Sequence, residues 1–398
     1  MKSIKPYHIS LFFISAAVLS LEISLMRVLK IEGFGNFTYT AIALALTGFG
    51  ASGTLVCIFG KRIKEQIFTI SLLAAAGFIL TLGAGAYFSQ KIVFDPLRIV
   101  WDPQQIGRLL IRYIIYTIPF ICGSGFILLA FMIERSSRAY FYNLLGSGSG
   151  VLIILFLLYI IPPNKILIAP LGLALISIIL LFLDKKFKAR FFIIVFGALL
   201  PGFILFFISG INVLPYKGIE LTLNLPDASV IEINHSPFGT LEVVESSKIR
   251  IAPGLSLAFE GELPPQHALF LDGDGLSAMD RIETSYSLDY TLYQTQSSVY
   301  QLYSNPSVFI AGLGGGTAVE RAFKNGASMI VVAEENPYLG ILLKDKFKHY
   351  SKGFFNQNFI EIVNSNARQL LRAHRNEKWD IIEISETDSA VSSIGGIY

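Results

Sequence analysis

Ser307-Val-Phe-Ile-Ala-Gly-Leu-Gly-Gly-Gly-Thr-Ala-Val-Glu-Arg-Ala-Phe323 passes from an apolar run through four glycines into a helical pattern. Glycine lets a chain turn tightly and approach a ligand closely, and the N-terminus of the following helix presents N–H groups. About 20 residues on, a second apolar run, Ile330 to Ala333, ends in Glu334. A carboxylate there accepts hydrogen bonds from the two hydroxyls of a ribose, so strand, glycine turn, helix and acid together predict a nucleoside site on a Rossmann-like sheet. Further apolar runs at Phe359 to Val363 and Ile381 to Ile384, with helical stretches between, predict the remaining parallel strands.

Upstream of this stretch the texture is different. Residues 212 to 290 alternate polar with apolar side chains, as in Val230-Ile-Glu-Ile-Asn and Leu241-Glu-Val-Val-Glu, and predict short strands and turns. The first 211 residues hold seven stretches near the length of about 20 apolar residues that crosses a bilayer: 8–29, 39–59, 67–88, 109–133, 141–161, 166–183 and 191–211. The chain is 53% hydrophobic and only 15% charged, which excludes a disordered chain and an ordinary soluble domain. The net charge of +3 hides a split, with +11 over residues 1–211 and −8 over 212–398. Three regions follow: a multi-span helical membrane domain (1–211), a small β-rich segment (212–290) and a Rossmann-like α/β domain (291–398).

Basic residues gather in alternate loops, at Lys61, Arg62 and Lys64 and again at Lys185, Lys186, Lys188 and Arg190, which the positive-inside rule places in the cytoplasm. Seven crossings then put residues after 211 on the other side, against the cytoplasmic nucleotide chemistry read from the glycine turn. Glycines such as Gly48, Gly50 and Gly53, or Gly146, Gly148 and Gly150, are expected to let helices pack closely. Glu22 lies deep in the first span, where a charge costs roughly 2.5 to 3.5 kcal/mol, and is expected to face the bundle, whereas Arg27 is near enough to an end to snorkel. Asp95, Arg98, Trp101 and Asp102 are read as interfacial anchors. Cys57 and Cys122 sit in apolar stretches, and neither they nor His235, His267, His349 and His374 show metal-ligand spacing, so no metal is expected and the histidines are assigned to surface or turns.

The Gly312 to Glu334 constellation, with Asn336-Pro337 after it, resembles the nucleoside site of the spermidine/spermine synthases. The resemblance extends through Ser236-Pro-Phe-Gly-Thr-Leu-Glu, Ala252-Pro-Gly-Leu-Ser-Leu and Leu271-Asp-Gly-Asp-Gly. In the apolar half, Leu21-Glu-Ile-Ser-Leu-Met-Arg and Tyr142-Asn-Leu-Leu-Gly are similar to elements of the bacterial membrane-fused spermidine synthase-like proteins.

That resemblance implies a multi-pass protein of the bacterial inner membrane, connected with polyamine biosynthesis. Gly312, Gly314, Gly316 and Glu334 would hold S-adenosylmethionine or its decarboxylated form, and Asn366 would stand at the position that reads the adenine. A polyamine would be the acceptor; the lipid bilayer is an implied partner and nucleic acid is not. The family's catalytic Asp corresponds to Ser385, too weak a base to deprotonate an amine, leaving Asp388 as the nearby carboxylate. The expected Gln corresponds to Leu276, and the Tyr-His-Glu element that contacts polyamine corresponds to Tyr290-Thr-Leu. The family shares a methyltransferase-type fold whose sheet has further strands beyond the fourth, so residues 291–398 are expected to be an incomplete Rossmann-like α/β domain of a truncated chain, with a sheet edge that a partner chain covers. The readings that follow are a membrane-anchored aminopropyl- or methyl-transferase, and a non-enzymatic transport or scaffold protein with a vestigial nucleoside domain; an NAD-linked dehydrogenase shares only the glycine turn.

Overall fold

The computed structural model describes residues 6–33, 35–182, 200, 202–204, 206–207, 215, 217–375 and 377–385. The chain separates into two compact units, Met1–Leu214 and Pro215–Tyr398.

The first unit is helical. Helices α1 (Pro6–Glu32), α2 (Thr40–Glu65), α3 (Ile67–Lys91), α4 (Gln104–Ile133), α5 (Ser136–Leu157) and α6 (Ile168–Phe182, with a short turn from Pro163 ahead of it) correspond to six helices long and apolar enough to cross a membrane. The expected seventh stretch, 191–211, lies outside the described residues but for a few positions from 200 to 207. Helix α1 is the hub, packing on α5, α6 and α4. Glycine closes the α1–α5 seam: a Cβ on Gly146 would lie 2.2 Å from the Phe12 carbonyl oxygen, and one on Gly150 would lie 2.4 Å from that of Ala16. Gly48 likewise seats α2 on Phe120, but Gly50, Gly53 and Gly148 have no atom within 4 Å of such a Cβ, so close packing does not explain those three.

Polar side chains tie α1 to its neighbours. Ser10 donates to the Ser177 carbonyl oxygen (3.0 Å), Ser15 to Asn143 (2.8 Å) and Ser20 to the Gly150 carbonyl oxygen (3.0 Å). Both ends of the helix bring polar side chains together: His8 Nε2 lies 2.9 Å from Glu134, and Glu32 forms a buried ion pair with Arg112 while also accepting from Gln90. Arg27 is buried at 7% exposure rather than snorkelling, and Glu22 is only half-buried. In the loop before α4, Arg98 pairs with Asp95 (3.0 Å) and Trp101 is 71% exposed.

The second unit begins with the short helix α7 (Gly218–Leu223) and an antiparallel meander of β1 (Ser229–Ser236), β2 (Gly239–Glu245), β3 (Gln266–Leu271) and β4 (Asp274–Asp280). Asp272 and Gly273 form the β3–β4 turn with φ of 57° and 80°, the pattern of a tight hairpin. The buried Lys217 ammonium donates to the Asp272 carbonyl oxygen (2.9 Å) and to Asp274 (3.2 Å), so this Asp-Gly pair has a structural task.

The parallel sheet follows: β5 (Ser307–Ala311), α8 (Thr317–Lys324), β6 (Met329–Glu334), α9 (Pro337–Ile341), β7 (Ile360–Asn364), α10 (Ala367–Ala373) and β8 (Ile381–Ile384), in strand order β7-β6-β5-β8. These strands fall where the apolar runs predicted them. Because side chains alternate along a strand, Val308, Ile310, Ile330 and Val332 join a large core with α8, α9 and the meander, while Phe309, Ala311, Val331 and Ala333 meet α10 on the other face. His267 departs from the surface role assigned to it: it is buried in β3, stacked on Tyr350 with centroids 4.1 Å apart, because its ring completes an aromatic contact.

Candidate functional site

The chain steps from β5 to β6 to β7 in one direction, then crosses back to β8 on the other side of β5. This reversal leaves a crevice at the carboxyl ends of β5 and β8, the place where open α/β sheets bind ligands. Glu334 borders a small cavity of about 250 Å³ with Asn336 and Asn364, and a separate cavity of about 790 Å³, whose lining does not include Glu334, opens along the α10 face of β5 and β8, where Phe309, Ala311, Ile382, Ile384, Glu335 and Asn366 line it. The larger volume falls within the range of small-molecule sites.

The glycine turn is fixed by its neighbours. The Gly312 N–H donates to the Ala333 carbonyl oxygen (2.9 Å), and the Leu313 N–H donates to Glu334 Oε2 (2.8 Å). Glu334 Oε1 accepts from the Asn336 N–H (2.8 Å), so two backbone donors aim the carboxylate at the turn. Burial pushes the Glu334 carboxyl above its ordinary value, although these N–H groups pull the other way. Each oxygen keeps a further lone pair, enough for the paired hydroxyls of a ribose. Asn336 then starts α9, its side chain accepting from the Tyr338 N–H (3.1 Å).

The expected ligand glycines divide by task. A Cβ on Gly316 (φ 101°) would lie 2.2 Å from the Phe355 ring, so this position seats the turn against the core. At the neighbouring Gly315, absent from the sequence-based set, a Cβ would lie 1.9 Å from the Ala278 carbonyl oxygen, and its N–H donates to Ser277 Oγ (2.5 Å). Gly314 (φ 53°) remains as the centre of the turn.

Ser385 follows β8 directly. Its N–H donates to the Ala311 carbonyl oxygen (2.9 Å) and its hydroxyl to that of Gly312 (2.5 Å), which clips β8 to the glycine turn. Asn366 is at the α10 N-terminus, where its side-chain oxygen accepts from the Arg368 (3.0 Å) and Gln369 (3.4 Å) N–H groups while its amide donates to Glu335. The carbonyl oxygen assigned to adenine is therefore a helix cap here. Tyr290 and Thr291 are buried, Tyr290 donating to Asp280 (2.6 Å) and Thr291 to the Leu288 carbonyl oxygen (2.7 Å). Asp388 and the Leu276 side chain lie outside the described residues. No group of three or more His, Cys, Asp or Glu side chains suited to a metal occurs among the described residues.

Two features had gone unassigned. Arg368 and Arg372 of α10 and Arg375, two residues past its end, line the larger cavity, and their spacing of four and three was already a one-sided pattern in the sequence. Behind the turn, Glu320 of α8 is fully buried near Asp280. Burial first, then the Asp280 charge, pushes the Glu320 carboxyl well above its ordinary value. Asp280 accepts from Tyr290 and from Gln266 (2.8 Å), so it is the better ionised partner and Glu320 holds the proton. Nothing local in the sequence marks two carboxyls 40 residues apart as neighbours.

Compared with solved structures, the chain is similar to a crystal structure of spermidine synthase in complex with the transition state analogue AdoDATO, at 23% sequence identity and a TM-score of 0.28. The likeness covers 39% of this chain and 47% of that one, about half of its length. No protein-family model and no curated protein matches the chain. The fold assignment stands on the strand order and the turn geometry.

Proposed function

We propose that this chain is a multi-span membrane protein whose second unit binds an adenosyl ligand, S-adenosylmethionine or its decarboxylated form, in the crevice between β5 and β8. The observation that carries the reading is Glu334, held by two backbone N–H groups against the glycine turn with lone pairs left for a ribose. Six apolar helices support a membrane location, and Lys61, Arg62 and Lys64, which the structure places in the last turns of α2 rather than in a loop, stand at one of their ends. Glu334 would hold the ribose hydroxyls, and the cavity walls at Ala311 and Ile384 would flank the base.

Binding without aminopropyl transfer is favoured over synthesis. The transfer needs an amine freed of its proton, and the Ser385 hydroxyl is weakly basic and already donates to Gly312. The ligand, if bound as a signal, would act through the turn that Ser385 clips to β8.

Calorimetric titration of the full chain in detergent with S-adenosylmethionine, its decarboxylated form and NAD tests the reading. Hydrogen bonds to an ionised group contribute about 1.5 to 3 kcal/mol, so Glu334→Ala is expected to weaken adenosyl binding at least about tenfold. Tight NAD binding, or an affinity unmoved by Glu334→Ala, would overturn it.

A further inference from the structure

Strand β4 meets the glycine turn and the first turn of α8 at three places in succession. The Gly315 N–H donates to Ser277 Oγ (2.5 Å), the Thr317 hydroxyl donates to the Ala278 carbonyl oxygen (3.3 Å), and Glu320 lies beside Asp280. The first two contacts are ordinary hydrogen bonds, whereas the third sets together two carboxyls that have no exposure to solvent.

Only one member of that pair is provided with donors. Asp280 accepts from Tyr290 (2.6 Å), in the segment Ser285–Tyr293, and from Gln266 (2.8 Å) of β3. Among the described residues no donor meets either Glu320 oxygen. Arg321, the next residue, donates to Gln294 (2.5 Å) and pairs with Glu383, which Tyr300 also meets, so its charge does not outweigh burial and Asp280. Tyr350 and Arg281 come near Asp280, and His267 follows Gln266 on β3, but among the described residues none of the three bonds to either carboxyl.

We propose that Asp280 and Glu320 form a proton-operated catch on the glycine turn: with a proton on Glu320, β4 holds the turn down, and when that proton leaves, β4 and α8 part and the Gly315 and Thr317 bonds open with them. The bond that a protonated Glu320 donates to Asp280 is the one contact of this seam that pH can remove. Without it two like charges stand side by side away from water, which carboxyl pairs avoid by keeping one proton. Parting lets water reach Glu320, and its carboxyl returns to the ordinary value. Burial and the Asp280 charge hold it above that value while the seam is closed. The catch is therefore complete in acid and weakens as pH rises from the ordinary value toward the raised one, by up to about tenfold per pH unit for one proton.

Hydrogen exchange of the full chain in detergent tests the catch without any ligand, so its outcome is independent of the adenosyl reading. After correction for intrinsic rates, protection of the amides over 313–323 is expected to fall at least about fivefold between about pH 5.5 and 8.5. In Glu320→Gln, whose amide donates to Asp280 at every pH, it is expected to stay within about twofold. Glu334, beside Leu313, is present in both proteins and cancels in the comparison. Asp280→Asn, which removes the other charge, is expected to flatten the profile as well. Equal slopes for the parent and Glu320→Gln would overturn the proposal. So would turn amides that exchange no faster than those of β6, since the seam would then open only with the whole unit. A flat profile in the unsubstituted chain refutes the catch even if neither variant folds.

Discussion

The α1–α5 seam and the glycine turn both put backbone against backbone where a side chain is missing, but with different consequences. Gly146 and Gly150 seat α5 on the Phe12 and Ala16 carbonyl oxygens, and Gly315 seats the turn on that of Ala278. A serine assists each contact: Ser20 donates to the Gly150 carbonyl oxygen, while Ser277 accepts from the Gly315 N–H. Within a helix the N–H groups are already paired, so the glycine gains only proximity. In the turn they are not, and each must find an acceptor, which is how the Leu313 N–H comes to orient Glu334. A glycine-rich sequence therefore marks close approach in both places and backbone donors free to orient a carboxylate in only one.

Substitution at the helix seam should produce the largest effect. Gly150→Leu is expected to cost about 3 kcal/mol or more by overpacking and to lower the melting temperature of the detergent-solubilised chain, whereas Gly148→Leu, with no atom within 4 Å of its Cβ, should change little. Equal losses at the two positions would erase the distinction between seated and unseated glycines. Next in size, Gly315→Val should lift the turn from β4, costing about 2 kcal/mol by the same overpacking and weakening adenosyl binding more than tenfold. Ser277→Ala, which removes only the acceptor, should give the smaller part of that change in the same titration.

The pattern of strands was readable because apolar runs of strand length alternated with helical stretches, and Val308, Ile330, Ile360 and Ile381 all occupy the strands so assigned. Glu334 was readable for a local reason, its fixed distance from the glycines. The Asn366 cap, the Ser385 clip and the seating of Gly315 and Gly316 were not, because each depends on a partner that only folding brings near. The pairs Glu32–Arg112 and His8–Glu134 escaped for the same reason, while attention fell on Glu22 and Arg27.

A smaller expected effect concerns the buried carboxyls beside the turn. Because the Glu320 value is raised in the folded chain, its contribution to stability is present in acid and is lost as pH rises through that folded value. Glu320→Gln should stabilise the second unit at pH 8 by about 1 kcal/mol, the lower end of the cost of a buried polar group without a partner, and should gain less at pH 5. Thermal unfolding across that range checks it, and parallel slopes for the two proteins would count against proton retention at Glu320. Smallest of all, Ser385→Ala is expected to cost below about 1 kcal/mol and to leave adenosyl affinity within about threefold by calorimetry. A much larger loss of affinity would mean that the hydroxyl meets the ligand rather than only the turn.

The position of β8 beside β5 also orders events during synthesis. Ala311 pairs with Ile384, and the Ser385 clip closes on Gly312, so one edge of β5 stays open until about 70 further residues have been made. At about 5 to 20 residues per second that wait is roughly 4 to 14 s. During it, β5, β6 and β7 can pair and Glu334 can already meet Leu313, while the far side of β5 offers unpaired N–H and C=O groups to any passing strand. The crevice consequently forms only after β5, β6 and β7 have been made, and a ligand that needs both of its walls cannot act on a chain stalled before β8.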